Sequence, residues 1–194
     1  PMWRFILKFT ERGKVKEDTI LVDGITGEIV YREKEALKGT KNLLKVSSLP
    51  NITRAVALYL TTYGTSPAPK IAEKLNLSLD ETKKELEFLE KEKLVTTDGF
   101  LFKSNIVADF KKIMENQIRE ETSSGKLKGE VLEFGVKKEK AKALLNIFQP
   151  NGYEIKECYY PLWVVELEDG ETKIIDGLTG KETEYFNSSM LYVG

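Results

Sequence analysis

The sequence predicts an α+β chain in which a three-helix unit ending in a hairpin is inserted between two related helix/β-meander units whose strands form an antiparallel sheet. Three observations predict it. Residues 52–103 carry a helical apolar period that gives way to a strand–turn–strand ending. The flanking stretches instead carry short aromatic and β-branched runs bounded by Gly, Asp and Asn. The two flanks also share a signature, Pro-x-Trp followed by Asp-Gly-x-Thr-Gly, and self-similarity of this kind marks a duplicated supersecondary unit. The expected divisions are 1–50 (first meander and connector), 51–104 (helical unit) and 105–194 (helical linker and second α-β-β-β repeat).

Residues 2–9, MWRFILKF, read as a strand, 10–18 as a charged turn around Gly13, and TILVDGITGEIVYR as strand, turn, strand. A three-stranded meander is too small to stand alone and needs a cover. Residues 33–48 read as a short helix or charged connector broken at Gly39, and Pro50 resets the chain.

In the central unit Ile52, Val56, Leu58, Tyr59 and Leu60 make an apolar helix ending near Gly64. Ser66-Pro67-Ala68-Pro69 opens a second helix holding Ile71, Ala72 and Leu75. Ser78 and Glu81 form a capping box at the start of a third, whose stripe is Leu79, Thr82, Leu86, Leu89 and Lys93. Residues 94–102 then give strand, tight turn at Asp98-Gly99, and strand. Beyond it, 105–121 reads as an amphipathic helix, LKGEVLEFG as a strand, and 137–148 as a helix. Residues 153–167 read as one long strand or two, and KIIDGLTGKETEYF as strand, turn, strand.

The repeat aligns Pro1 with Pro161, Trp3 with Trp163, Asp23-Gly24 with Asp176-Gly177 and Thr26-Gly27 with Thr179-Gly180. The copies are expected to pair into one sheet or to pack symmetrically, since neither buries a face alone. The second copy has a helix before its strands, whereas the chain starts at the first Pro-x-Trp without Met. That reads as a fragment of a longer protein with a truncated first repeat; removal of an initiator Met before Pro is the other reading.

Composition narrows the chemistry. With 41% hydrophobic and 31% charged residues the chain is globular rather than disordered. No run of about 18 apolar residues suits a membrane helix, and PMWRFILKF lacks a signal-peptide cleavage site. The single cysteine, Cys158, rules out an internal disulfide framework and fits a reducing, cytoplasmic setting. Histidine is absent, which removes the commonest general base and metal ligand. No metal or cofactor is expected. Heavy use of Lys and Glu leans toward a thermophile. The net charge of −1 is uneven: +3 over 1–50, 0 over 51–104, +2 over 105–150 and −6 over 151–194, so any basic patch is local.

Candidate chemical sites have plainer explanations. GLTGKET at 177–183 is not a phosphate loop, because Ile175 stands where the first Gly belongs, Glu182 where the Mg²⁺-binding hydroxyl belongs, and a strand follows. Glu120-Glu121 and Glu166/Glu168 fit solvated faces better than acid/base pairs. Cys158 has no His to activate it and suits a half-buried strand. Trp3, Trp163, Tyr159 and Tyr160 suit sheet packing better than an aromatic ligand surface.

Two family resemblances follow. The α-β-β-β unit with its D-x-x-T-G-[EK] turn looks like the PepSY type of small module. Residues 52–103 resemble the winged-helix family in their helix spacing, in L-x-x-L-x-x-x-x-L-V at Leu86, Leu89, Leu94 and Val95, and in the wing around Asp98-Gly99. That resemblance, over about a quarter of the chain, implies a third helix in the DNA major groove and a wing on the backbone. Carried over, it points to Asp80, Glu81, Lys83, Lys84 and Glu87, with Lys103 beside the wing. Lys91 extends this helical set, and Lys111 and Lys112 belong to a separate Lys-rich stretch continuing through Lys126, Lys128, Lys137, Lys138, Lys140 and Lys142.

The unit departs from base reading: Asp80 and Glu81 stand where Arg, Asn or Gln would reach bases, and Phe88 lies on the outer face. The expected function is a non-catalytic DNA-binding or DNA-positioning accessory region of a larger prokaryotic, archaeal-type protein, any catalytic part lying outside the chain. The alternative is a protein-docking module using Phe88 and Glu87.

Overall fold

The computed structural model describes residues 1–34, 36–115, 131–183 and 185. In chain order the strands and helices begin with β1 (Met2–Glu11), β2 (Lys14–Asp23), β3 (Ile29–Glu33), β4 (Ala36–Gly39), α1 (Leu43–Ser47) and α2 (Asn51–Tyr63). Then come β5 (Ser66–Pro67), α3 (Ala68–Leu75), α4 (Leu79–Lys91), β6 (Val95–Thr97), β7 (Leu101–Ser104) and α5 (Phe110–Glu115). The last are α6 (Lys138–Ala141), a 3₁₀ turn at Lys142–Leu144, α7 (Leu145–Phe148), β8 (Gly152–Cys158), β9 (Leu162–Glu166) and β10 (Thr172–Asp176). The fold is mixed α+β with antiparallel sheets. The chain divides into two compact units: Pro1–Gly39 with Phe110–Ala141 and Pro150–Gly194, and Thr40–Asp109 with Lys142–Gln149.

The first unit holds a five-stranded sheet of order β4-β3-β2-β1-β8. Strand alternation decides its two faces. Trp3, Phe5 and Leu7 on β1 lie opposite Val22, Ile20 and Asp18 on β2, and the apolar members are buried. On this face α5 packs against β2 and β3, with Ile113 buried. The other face carries Met2, Val30 and Leu37, which form a core cluster with Ile174 and with Cys158, Tyr160, Leu162 and Tyr185 around it.

The repeats therefore do not merge into one sheet. β8 completes the edge of the first copy, pairing Met2 with Cys158 through Lys8 with Gly152. Pro161 then follows between β8 and β9, and a proline supplies no ladder N–H. Among the described strands β9 and β10 pair with each other, as a two-stranded sheet, and their inner side chains join the Met2 cluster. The two hairpins share a register: Trp3 pairs with Val22 and Trp163 pairs with Ile175.

Three local expectations change. Residues 36–39, read as helix or connector, form β4, which pairs Glu33 with Ala36 after a turn with Lys34 at φ 57°. Among the described residues of the 33–48 stretch the helix is α1. Helix α5 starts at Phe110 rather than 105, because Asn105–Val107 brace the hairpin and bridge to Lys41; residues 116–121 lie outside the described residues. Residues 131–136 join no described strand ladder, and 127–130 lie outside the described residues, as do Glu184 and 186–194.

The second unit has the order α1, α2, β5, α3, α4, β6, β7, closed by α7. Its core is Val56, Ala57, Leu60, Ile71, Leu86, Leu89 and Leu94, all at most 1% exposed. Burying each Leu is worth about 1.5–3 kcal/mol. Two buried or half-buried polar links add direction: Thr53 donates to Glu85 at 2.6 Å, and Asn146 Nδ2 donates to the Ser47 carbonyl at 3.1 Å.

Candidate nucleic-acid interface on α4 and its hairpin

Helix α4 starts where the sequence says it should. Ser78 Oγ accepts the Glu81 N–H at 3.1 Å, and Asp80 and Glu81 occupy the first turn, where carboxylates suit the helix dipole. Thr82, Leu86 and Leu89 are buried against the unit's core, while Leu79 is 39% exposed and falls off the expected stripe. The helix ends at Lys91, and Lys93 at φ 59° turns the chain so that Leu94 N–H reaches the Leu89 carbonyl at 2.9 Å.

The hairpin is held from both ends. At its tip Asp98 Oδ1 accepts the Phe100 and Leu101 N–H groups at 3.0 and 2.8 Å, and Gly99 takes φ 98°. These backbone donors, Leu101 first, hold the Asp98 carboxyl below its ordinary value. At its base Asn105 Nδ2 donates to the Lys93 carbonyl at 3.1 Å, and the Thr61 and Ser104 hydroxyls lie 2.9 Å apart. The three-stranded order β5-β7-β6 ties the hairpin to the start of α3.

On this frame Lys83, Lys84, Glu87, Phe88 and Lys91 are exposed on α4, and Lys103 is exposed on β7 opposite Thr96. No described residue forms an ion pair with Lys83, Lys84, Lys91 or Lys103. Phe88 is 42% exposed, and Phe100 at the hairpin tip is 69% exposed. Lys111 and Lys112 sit on α5, in the other unit. There Lys112 pairs with Glu33, and Lys111 lies 4.0 Å from Glu115. Lys137, Lys138 and Lys140 are exposed in that unit as well, while Lys126 and Lys128 lie outside the described residues.

The other readings also find their places. Cys158 is half-buried with Sγ 3.7 Å from the Met2 carbonyl, and burial pushes its thiol up, away from the reactive thiolate. Trp3 is buried and Trp163 is 67% exposed, so packing accounts for only one of the paired tryptophans. The residues that sequence reasoning missed as a group are the acids of the two Asp-Gly turns and their partners. Asp176 accepts from Tyr160 and pairs with Arg32 at 3.0 Å, and Asp23 accepts from Tyr185. The repeated aspartate was the available signal.

Among the described residues no group of three or more Cys, Asp or Glu is placed to hold a metal ion, and no helix is long and apolar enough to cross a membrane. Compared with known proteins, the chain matches no family model, no curated protein and no solved structure.

Proposed function

We propose that the second unit is a winged-helix-type module that contacts the backbone of duplex DNA and positions it, as a non-catalytic accessory region of a larger protein. The observation that carries this reading is the set of four exposed lysines without ion-pair partners among the described residues: Lys83, Lys84 and Lys91 on α4, and Lys103 on the hairpin. Lysines held by carboxylates, such as Lys45 with Glu92, must give up a pair to meet a phosphate, whereas these four exchange only water and counterions. The same surface argues for positioning rather than reading. Asp80 and Glu81 occupy the first turn of α4, and the helix presents no Arg, Asn or Gln to form bidentate contacts with a base.

The test is duplex binding followed by fluorescence anisotropy at about 50 and 200 mM salt. A phosphate-driven complex weakens steeply over that range, and each lysine replaced by Ala lowers the salt slope by roughly 0.9. Absence of binding at both salts overturns the reading, and so does a slope unchanged in the Lys83→Ala/Lys84→Ala variant. A second reading rests on the exposure of Phe88 and Phe100: aromatic groups of this kind anchor protein interfaces. Loss of a partner on Phe88→Ala with DNA binding intact would favour it.

A further inference from the structure

The two repeats differ in what covers their tryptophans, and the difference defines a site. In the first repeat the chain's own segment 134–136 lies over the Asp-Gly turn. The Trp3 indole N–H donates to the Val136 carbonyl at 2.7 Å, and the Val136 N–H donates to the Gly24 carbonyl at 2.7 Å. The Phe134 ring packs on Trp3, tilted by 37°, with centroids 4.2 Å apart. The contact excludes a side chain at Gly24 and leaves little room for one at Gly135. A Cβ on Gly24 would come within 2.6 Å of the Phe134 ring, and one on Gly135 within 3.3 Å of the Ile25 carbonyl oxygen.

The second repeat reproduces the receiving half of the arrangement. Gly177 N–H donates to the Pro161 carbonyl at 2.9 Å, as Gly24 N–H does to Pro1 at 2.9 Å. Asp176 Oδ1 accepts from Leu178 N–H as Asp23 Oδ1 accepts from Ile25 N–H, both at 2.8 Å. Here, however, Trp163 is 67% exposed and Leu178 is 42% exposed. Among the described residues nothing bonds the Trp163 indole or the Gly177 carbonyl. Lys173 and Glu182 stand where the first repeat has Ile20 and Ile29, and they pair at 3.2 Å. They place a charged pair beside an exposed apolar strip that includes Trp163 and Leu178.

We infer that this strip is a docking site for an extended peptide of a partner polypeptide, of the form aromatic–glycine–β-branched, bound as Phe134-Gly135-Val136 is bound in the first repeat. The aromatic ring stacks on Trp163, the glycine passes over Leu178, and the third residue bridges the Trp163 indole and the Gly177 carbonyl. The first repeat supplies the occupant's chemistry, because the same main-chain donors and acceptors stand in the same register.

The probe is the synthetic peptide Val-Leu-Glu-Phe-Gly-Val-Lys, titrated into the full chain while the two tryptophan indole N–H resonances are followed by NMR. They are assigned with Trp163→Phe, a change at an exposed position. The expected result is a saturable shift of the Trp163 resonance with Trp3 unmoved, lost when the peptide's Phe is Ser or its Gly is Val. Three results overturn the proposal. One is no Trp163 shift at millimolar peptide, and another is an equal response to the substituted peptides. The third is a Trp163 resonance that moves with protein concentration before any peptide is added, which assigns the strip to a second copy of the chain.

Discussion

The Tyr185 hydroxyl donates to Asp23 Oδ2 at 3.2 Å, so a side chain that follows the second repeat's turn reaches the acid of the first. Asp23 is 1% exposed and its other oxygen is engaged by the Ile25 N–H. The reciprocal link runs from Arg32 of the first repeat to Asp176 of the second. Removing the Tyr185 hydroxyl leaves a buried carboxylate short of a donor. Tyr185→Phe should therefore cost about 1–3 kcal/mol, seen as a lower denaturant midpoint with an unchanged slope. An unchanged midpoint would show that the bond contributes nothing to stability.

Gly39 makes the same junction sterically specific. A Cβ there would stand 1.9 Å from the Tyr185 ring. Gly39→Ala forces the ring to move, and overpacking of this kind costs about 1–3 kcal/mol. Because the clash is with one side chain, the cost should largely vanish in a Tyr185→Ala background. A double-mutant cycle measures this directly; additive effects would place the strain elsewhere.

These links explain which parts of the molecule were legible in the sequence. Helix α4 and the hairpin after it were legible because they are set by local chemistry: the Ser78 cap, the Leu86/Leu89 stripe and the Asp98-Gly99 turn. The repeat was legible for the same reason, since Asp23 and Asp176 are needed by their own turns. Its assembly was not. That β8 would pair with β1 while β9 and β10 pack across the sheet depends on contacts more than a hundred residues apart, such as Met2 with Cys158. Residues 36–39 misled because Ala-Leu-Lys-Gly has no strong strand preference and is strand only through pairing with β3. For the candidate interface, the sequence supplied the lysines but not their partners. Lys112 is held by Glu33, which lies 79 positions away.

Stability should fall at both ends of the pH scale, for opposite reasons. Burial pushes the Asp176 carboxyl up, but the Leu178 N–H, the Tyr160 hydroxyl and the Arg32 guanidinium outweigh it and hold it below the ordinary carboxylate value. Its stabilisation is thus complete above about pH 4 and is lost as pH falls through the lower folded value. Burial first, and then the neighbouring Asp23, push the Tyr185 hydroxyl up; burial does the same at Tyr160, against the pull of Arg32. For these the contribution is complete below about pH 10 and is lost above it, as the unfolded phenols ionise first. Denaturation midpoints between pH 7 and about 11 should drop in the native chain and drop less in Tyr160→Phe/Tyr185→Phe. Equal drops would remove the tyrosines as the cause.

On the proposed function, the start of α4 sets stability against DNA contact. Asp80 and Glu81 favour the helix N-terminus, each by about 0.3–1 kcal/mol, through the dipole, yet they repel phosphate beside Lys83 and Lys84. Replacing both, as Asp80→Lys/Glu81→Lys, should lower the unfolding free energy by about 1–4 kcal/mol, since two favourable charges become two unfavourable ones. The same variant should bind duplex DNA more tightly at low salt, with a salt slope steeper by about 2. Ser78→Ala provides the control: it should cost about 1 kcal/mol by loss of the cap bond to Glu81 N–H without changing the slope. Anisotropy titrations and denaturant melts on the three proteins separate the effects. If the double-Lys variant loses stability yet gains no affinity, the start of α4 does not face the phosphates.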